Sequence, residues 1–456
     1  MPVKQATAVA NHVFGGGMLV GFEQAGFDVK ADLETFDIGV KTLQKNRPKL
    51  DVRQDPEAKS WNVKDYDGVD VLFGNPRCTS FSTLTVGLKH RHGSTGASTL
   101  DIRQSFALAK MLRPKLFCLE SVQGAATTGW PLLEKLASEM PADYRFAIVF
   151  INNIMFVPQQ RKRLFIISYR DCEYGPNPPT AIERCTLVGD VIKNLEPAPW
   201  LYVRGKKGAE LPHDVVFDGK TIYNHVVYNA FDQDKMQDDY KKIPAGVTLE
   251  DVNPRDLGEV LKRKREAGTG LSFHCARRLA YDLYSPLIYA ASGNYLHPVH
   301  DRSITVREAA RLMGIPDDYR YIGDRQYAQV GNGVAPPTSK WIAGTLLDAM
   351  NGNHEDVVWT YLPKEKRFEQ GISGGAKWKF FQFTKVVPND YETVKARLRA
   401  KTKAVAGWKE TDYGKNIQNL LVQNAKERQA SGKGGLLKGE EKPLEFNNND
   451  GVVDVS

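Results

Sequence analysis

Apolar and polar positions follow two alternating periods over the first 170 residues. Candidate strands recur at 28–32, 69–73, 116–120, 146–151 and 164–168. Helical spacing fills the intervals at 19–25, 38–45, 102–112 and 132–138. This alternation predicts an α/β fold, a parallel sheet with crossover helices. From 172 to about 298 the alternation lapses, and Pro, Gly and charged stretches such as Lys262-Arg263-Lys264-Arg265 take over. That segment reads as an insert or a second lobe. Regular signals return near 303. Thr305-Val306-Arg307-Glu308 predicts a capping box opening a helix that ends near Gly314, with Pro316 beyond it. Another helix is expected over 339–350. The Gly-, Asn- and Lys-rich end from about 430 reads as a disordered tail.

Composition narrows the class. At 456 residues with 41% hydrophobic and 10% aromatic content, the chain is a folded protein of two or three domains. No apolar run approaches ~20 residues, so no membrane span is expected. Residues 1–13 lack the basic start and apolar core of a secretory signal. Five cysteines with no Cys-x-x-Cys spacing argue against structural zinc and a disulfide framework, and for a reducing cytoplasm. The net charge is +8, and residues 361–440 hold 17 Lys/Arg against 8 Asp/Glu. The distribution points to a polyanionic partner. Within it, Trp378, Phe380, Phe381 and Phe383 lie between Lys377, Lys379 and Lys385, which suits either a nucleic-acid surface or a packed strand with a charged outer face.

The candidate chemistry starts at Cys78. A Gly/Asn/Pro turn, Gly74-Asn75-Pro76, ends the apolar run before it and puts a thiol at the carboxyl end of a strand, where open α/β sheets carry their sites. Leu119-Glu120-Ser121-Val122 ends a second apolar run with a carboxylate, and Gln159-Gln160-Arg161-Lys162-Arg163 opens a third with cations.

These segments, in this order, resemble the DNA (cytosine-5)-methyltransferases. Gly74 to Ser82 looks like the family's catalytic loop, and Glu120-Ser121-Val122 like its Glu-Asn-Val motif. Residues 159–163 resemble Gln-x-Arg-x-Arg. Residues 302–319 follow the helix after the family's target-recognition region. Gln329-Val330-Gly331-Asn332-Gly333-Val334-Ala335-Pro336-Pro337 follows its final motif. Near the start, Gly21-Phe22-Glu23-Gln24-Ala25-Gly26-Phe27 fits the family's first helix. The resemblance covers about 10–348. It implies a doubly wound, mostly parallel sheet with a smaller target-recognition lobe. The expected parts are a catalytic and cofactor lobe at 1–171, a target-recognition region at 172–298, completion of the catalytic lobe at 299–350, a basic extension at 351–430, and a tail at 431–456.

The resemblance also implies roles. Cys78 would be the nucleophile that attacks cytosine C6, and Glu120 would contact N3 and the exocyclic amine. Arg161 and Arg163 would support the base and its phosphate, and Gln159 and Ser82 would contact substrate. S-adenosyl-L-methionine would be held by Phe14, Gly15, Gly17, Glu34, Asp51, Pro76 and Asn332. Of these, Glu34 would take the ribose hydroxyls, Asp51 the adenine side, and Asn332 would close the pocket. Double-stranded DNA is the implied partner, bound by a monomer that flips the target base out. A restriction endonuclease companion is compatible with this, and so is a phage or unpaired enzyme.

The chain departs from the family pattern in several places. Ala10 and His12 stand where Asp and Phe are expected, unless the loop is shortened by two residues. Arg77 replaces a proline, Thr79 a Gln and Ser121 an Asn. Arg77 puts a cation next to Cys78 and is expected to favour the thiolate. Three alternatives stay open: a silent DNA-binding relative, a modified sulfonium donor and a tRNA substrate. The insert has no Cys-Phe-Thr run, which argues against the last.

Overall fold

The computed structural model describes residues 5–54, 63–78, 81, 99–203, 214–228, 241–258, 277–290, 295–323, 325–354, 357–362, 367–372 and 378–419. Seven strands of the main sheet come from the first 170 residues. They are β1 (Thr7–Asn11), β2 (Asp28–Glu34), β3 (Asp51–Gln54), β4 (Val71–Gly74), β5 (Leu116–Ser121), β6 (Arg145–Asn152) and β7 (Lys162–Tyr169). Helices α1 (Gly17–Gln24), α2 (Asp37–Asn46), α3 (Leu100–Leu112) and α4 (Trp130–Ser138) connect them.

After β7 come α5 (Val188–Ile192) and four short strands, β8 (Leu201–Val203), β9 (Val215–Phe217), β10 (Lys220–Ile222) and β11 (Val226–Tyr228). Three helices follow: α6 (Val306–Leu312), α7 (Gln326–Asn332) and α8 (Pro336–Met350). The hairpin β12 (Val357–Leu362) and β13 (Arg367–Ile372), strand β14 (Trp378–Phe383) and helix α9 (Tyr391–Ala406) complete the described chain.

The sheet order is β14-β6-β7-β5-β4-β1-β2-β3, and β7 alone runs antiparallel to the rest. Strands buried on both faces read as continuous apolar runs. Successive side chains still divide between the faces. Leu72, Phe117 and Leu119 pack with Phe106, Leu133 and Leu136 of α3 and α4. Val71, Phe73 and Leu116 pack with Met18, Phe22, Ile342 and Leu346 of α1 and α8. The chain leaves β1 in one direction for β2 and β3 and returns on the other side as β4 and β5. The crevice at the carboxyl ends of β1 and β4 is therefore the topological switch point, where such sheets bind ligands.

The sheet does not end with the helix at 350. Its eighth strand, β14, pairs parallel with β6 from Trp378↔Phe146 to Phe383↔Ile151. Phe380 and Phe381 enter the cores on opposite faces. Lys379 is 3% exposed, ion-paired to Glu173 at 2.9 Å and placed over the Tyr169 ring. Of the two readings of this aromatic stretch, the packed strand holds and the nucleic-acid surface does not.

The capping box forms as expected. The Thr305 hydroxyl accepts from the Glu308 N–H at 3.1 Å, and the Glu308 carboxylate accepts from the Thr305 N–H at 2.7 Å. Glu308 also pairs with buried Arg302. Gly314 then turns the chain out at φ 71°. The disordered reading of 431–456 lies outside the described residues.

Candidate active site

Cys78 stands in the loop after β4, four residues past Gly74, and is partly exposed. Its carbonyl accepts from the Phe81 N–H at 2.9 Å, which turns the loop back. Phe81 lies flat on the next loop because Gly124 has no side chain there. A Cβ at 124 would sit 1.9 Å from the Phe81 carbonyl oxygen. Ser82 lies outside the described residues.

Glu120 lies near the carboxyl end of β5, the strand beside β4, and is 2% exposed. Asn75 Nδ2 donates to its Oε2 at 2.7 Å, and Arg163 Nε lies 2.9 Å from its Oε1. Arg163 enters from β7, which pairs with β5. A thiol, a carboxyl group and a guanidinium therefore meet at one end of three adjacent strands.

Their charges act on one another. Burial pushes the Cys78 thiol up to about 11, and the Glu120 charge adds to the rise, while Arg163 and Arg161 hold it down. Burial likewise raises Glu120, against the pull of Arg163 and Arg161. Arg77 does not act on the thiol as the sequence reading expected. Its guanidinium makes two 2.7 Å hydrogen bonds to Asp101, a carboxylate 1% exposed at the start of α3, and lies over the Phe36 ring. The ion pair turns this cation away from Cys78, and Arg163 and Arg161 are the cations that bear on the sulfur.

Two other expected site residues are committed elsewhere. Arg161 is buried and donates to the carbonyls of Ile288 at 2.5 Å, Gly331 at 3.1 Å and Gly333 at 3.0 Å. It ties β7 to the loop after α7, so its effect on the site is through its charge alone. Gln159 is wholly buried. Its Oε1 accepts from the Ile288 N–H at 2.9 Å, and its Nε2 faces the Leu312 carbonyl and the Met313 sulfur. It joins the two lobes and does not face the substrate space.

The crevice at β1 and β4 is built by a tight loop. His12, Phe14 and Gly16 all have positive φ, at 55°, 46° and 76°. For bulky residues this is strained backbone, about 1–3 kcal/mol each. Glu34, at the end of β2, holds the loop by accepting from the Phe14 N–H at 2.8 Å, as well as from Thr35 and Phe36. Glu34 is fully buried, and burial pushes it up to about 7. Asn11 Nδ2 at the end of β1 is buried with no hydrogen-bond partner among the described residues. Pro76 is buried in the loop after β4. A fully buried acid and an unmatched buried amide at the carboxyl ends of β1 and β2 suit the polar groups of an adenosyl sulfonium at this point.

Gly15 and Gly17 permit close approach of a different kind from that expected. Cβ atoms there would lie 2.3 Å from the Gln329 carbonyl oxygen and 2.2 Å from that of Val334. The glycines let the first loop pack on the final motif. Asn332 is exposed at the end of α7.

Asp51 falls at the wrong end of its strand. It pairs with Ala31, and Gln54 is the residue level with Glu34, so Asp51 lies roughly 10 Å down the strand. There it binds Arg53 and Tyr66.

Gly16 gives a sharp test of this loop. A Cβ on it would stand 2.0 Å from the buried Tyr319 hydroxyl, at a φ few side chains accept. Gly16→Ala is expected to lose about 1–3 kcal/mol of stability in urea unfolding and to weaken cofactor binding. Tyr319→Phe in the same chain should recover part of the loss. An alanine variant as stable as the parent would contradict the packing described.

The comparisons agree with this geometry. The family model for C-5 cytosine-specific DNA methylase matches residues 14–348. The chain belongs to that family. It is 26% identical over 372 residues to the Type II methyltransferase M.PspPI of Psychrobacter sp. (strain TA137), covering 78% of this chain and 82% of that protein. It is 24% identical to the Type II methyltransferase M.DdeI of Desulfomicrobium norvegicum, covering 72% and 85%.

Among solved structures, a chain described as a DNA modification methyltransferase encoded within an E. coli prophage superposes with a TM-score of 0.58 at 20% identity. It covers 76% of this chain and 99% of that one. The Entamoeba histolytica methyltransferase EhMeth gives 0.50 at 12%, covering 76% and 99%. Both show the methyltransferase fold. This DNA cytosine-5 methyltransferase has no helix among its described residues long and apolar enough to cross a membrane.

Proposed function

We propose that the protein methylates carbon 5 of cytosine in double-stranded DNA through a covalent bond between Cys78 Sγ and C6 of the base. The observation that carries this reading is the meeting of Cys78, Glu120 and Arg163 at the ends of β4, β5 and β7. Cytosine C5 is a poor nucleophile until a thiolate adds at C6. Cys78 Sγ forms that bond, and the electron pair of the C5–C6 double bond moves toward C5 and the ring. Glu120 holds a proton at N3, where negative charge would otherwise accumulate. Arg163, 2.9 Å from Glu120, keeps the carboxyl group aimed. The C5 electron pair would bond to the donor's methyl carbon, whose sulfonium would leave as the neutral thioether. A base would then take the proton from C5, the electrons of that bond would re-form the C5–C6 double bond, and Cys78 would leave C6 as thiolate.

S-adenosyl-L-methionine supplies, when bound, the electrophilic methyl group. Glu34 would take its ribose hydroxyls, and Asn11, Phe14 and Pro76 would border it. A stacked cytosine cannot reach Cys78, so the base is flipped out at a cost of a few kcal/mol. Residues 172–298 would read the target in the major groove. The likeness to Type II methyltransferases suggests a role in DNA modification, with the enzyme acting as a monomer.

Tritiated methyl transfer from S-adenosyl-L-methionine to mixed-sequence duplex DNA tests the reading, with a tRNA arm beside it. Label is expected on DNA, at cytosine C5, and bisulfite sequencing of the product would give the target. Label on tRNA alone, or on neither nucleic acid, would overturn it.

A further inference from the structure

We propose that the exposed basic face of α9, outside the family core, is a contact surface for the phosphate backbone of duplex DNA flanking the target. The proposal rests on the DNA reading above. Its first support is where the chain emerges. β14 runs parallel to β6, and so to β4 and β5, and ends at Phe383 on the edge that carries Cys78 and Glu120. The segment after it thus starts on the active-site side of the sheet.

The second support is what α9 packs against. Tyr391, Val394 and Leu398 join Ala280, Leu283 and Tyr284 in a core of the second lobe. Tyr391 stacks on Tyr284 at 5.7 Å. Asp390 accepts from the Cys185 N–H at 2.7 Å, and after the helix Trp408 Nε1 donates to the Asp251 carbonyl at 2.8 Å. The helix is continuous with the lobe that would read the base sequence.

The third support is the opposite face. Residues 391–419 hold seven Lys/Arg against three Asp/Glu. Lys401 and Lys409 are neutralised by Asp282 and Asp251. Arg399 and Lys403 are not. They are exposed, four residues apart on one face, and make no ion pair among the described residues. Ala396, Ala400 and Ala404 lie exposed beside them and leave room for close approach of a backbone. Lys395, one turn earlier, is taken up by Glu392 at 2.8 Å and is not part of the row. Such a row matches phosphates in charge and reads no base, so its contribution is sequence-independent and salt-dependent.

The test is a salt titration of binding to a fluorescent mixed-sequence duplex of about 40 base pairs, long enough to extend past the target. Three chains are compared: wild type, Arg399→Gln/Lys403→Gln, and a control with the same charge loss on the far helices, Lys110→Gln/Lys135→Gln. The first variant should lower the slope of log K against log salt by about 2, and the control should leave it unchanged. Arg399→Lys/Lys403→Arg should keep the wild-type slope. Equal slopes for both glutamine variants would overturn the proposal, whether both fall or neither does. Methyl transfer is read on the same samples. Binding without transfer by the wild type would sink the enzymatic reading and leave the surface standing. No binding by the wild type would sink both.

Discussion

Cys78→Ser is expected to lose methyl transfer by roughly 10⁴-fold or more, the scale on which removing a covalent nucleophile acts. The serine hydroxyl is nearly isosteric with the thiol but is a far weaker nucleophile towards C6. Folding and cofactor binding should survive. The Cys78 side chain is only partly buried, and Glu34 and Asn11 lie on other strands. A melting temperature and a cofactor affinity near wild type would therefore accompany the lost turnover. A serine variant retaining a tenth of the parent's rate would rule out the covalent route.

The same thiol has a testable pH dependence in the free protein. With its pKa pushed up to about 11, only roughly one Cys78 in 10⁴ is thiolate at pH 7. Its rate of alkylation by iodoacetamide should climb tenfold per pH unit between 7 and 10. A plateau below pH 8 would show a thiol activated before substrate arrives. A rising profile would mean that DNA and cofactor complete the activation. They would do so by bringing positive charge or by taking the proton.

That Cys78, Glu120 and Arg163 would come together was legible in the sequence because strand ends are legible. Val71 to Phe73 and Leu116 to Leu119 are apolar runs, and the turn or polar residue that ends each marks the edge where Cys78 and Glu120 stand. The first strand escaped the same reading. Thr7–Asn11 is built on Ala8 and Ala10, which favour helix over strand, yet it lies at the centre of the sheet because small residues fit between α1 and its neighbours. The β9–β10 hairpin escaped it too, although Asp218-Gly219, with φ 49° and 68°, is a tight-turn pair.

Side-chain destinations were the harder part. Arg161 and Arg163 are two residues apart, one just before β7 and one within it, yet Arg163 reaches Glu120 and Arg161 three carbonyls. Asp51 was misread because a carboxylate can begin a strand as easily as end one. Arg77 was misread because its partner, Asp101, lies 24 residues away on another element.

Glu120→Gln is expected to cut turnover by about 10²–10⁴-fold, the usual worth of a positioned acid. Glutamine keeps the shape, and its amide can still meet Asn75 and Arg163. It cannot hold a transferable proton at N3. The decisive feature is that the same change should make Cys78 more reactive. The Glu120 charge pushes the Cys78 thiol up, so its removal lets the thiol pKa fall, and alkylation at pH 9 should quicken. Arg163→Ala should act in the opposite direction on the sulfur. Its cation holds the thiol pKa down, so alkylation should slow, although methyl transfer falls as well. Two variants that both impair catalysis would then move Cys78 reactivity in opposite directions. A general loosening of the site would move both the same way, and that result would remove Glu120 and Arg163 from the roles assigned to them.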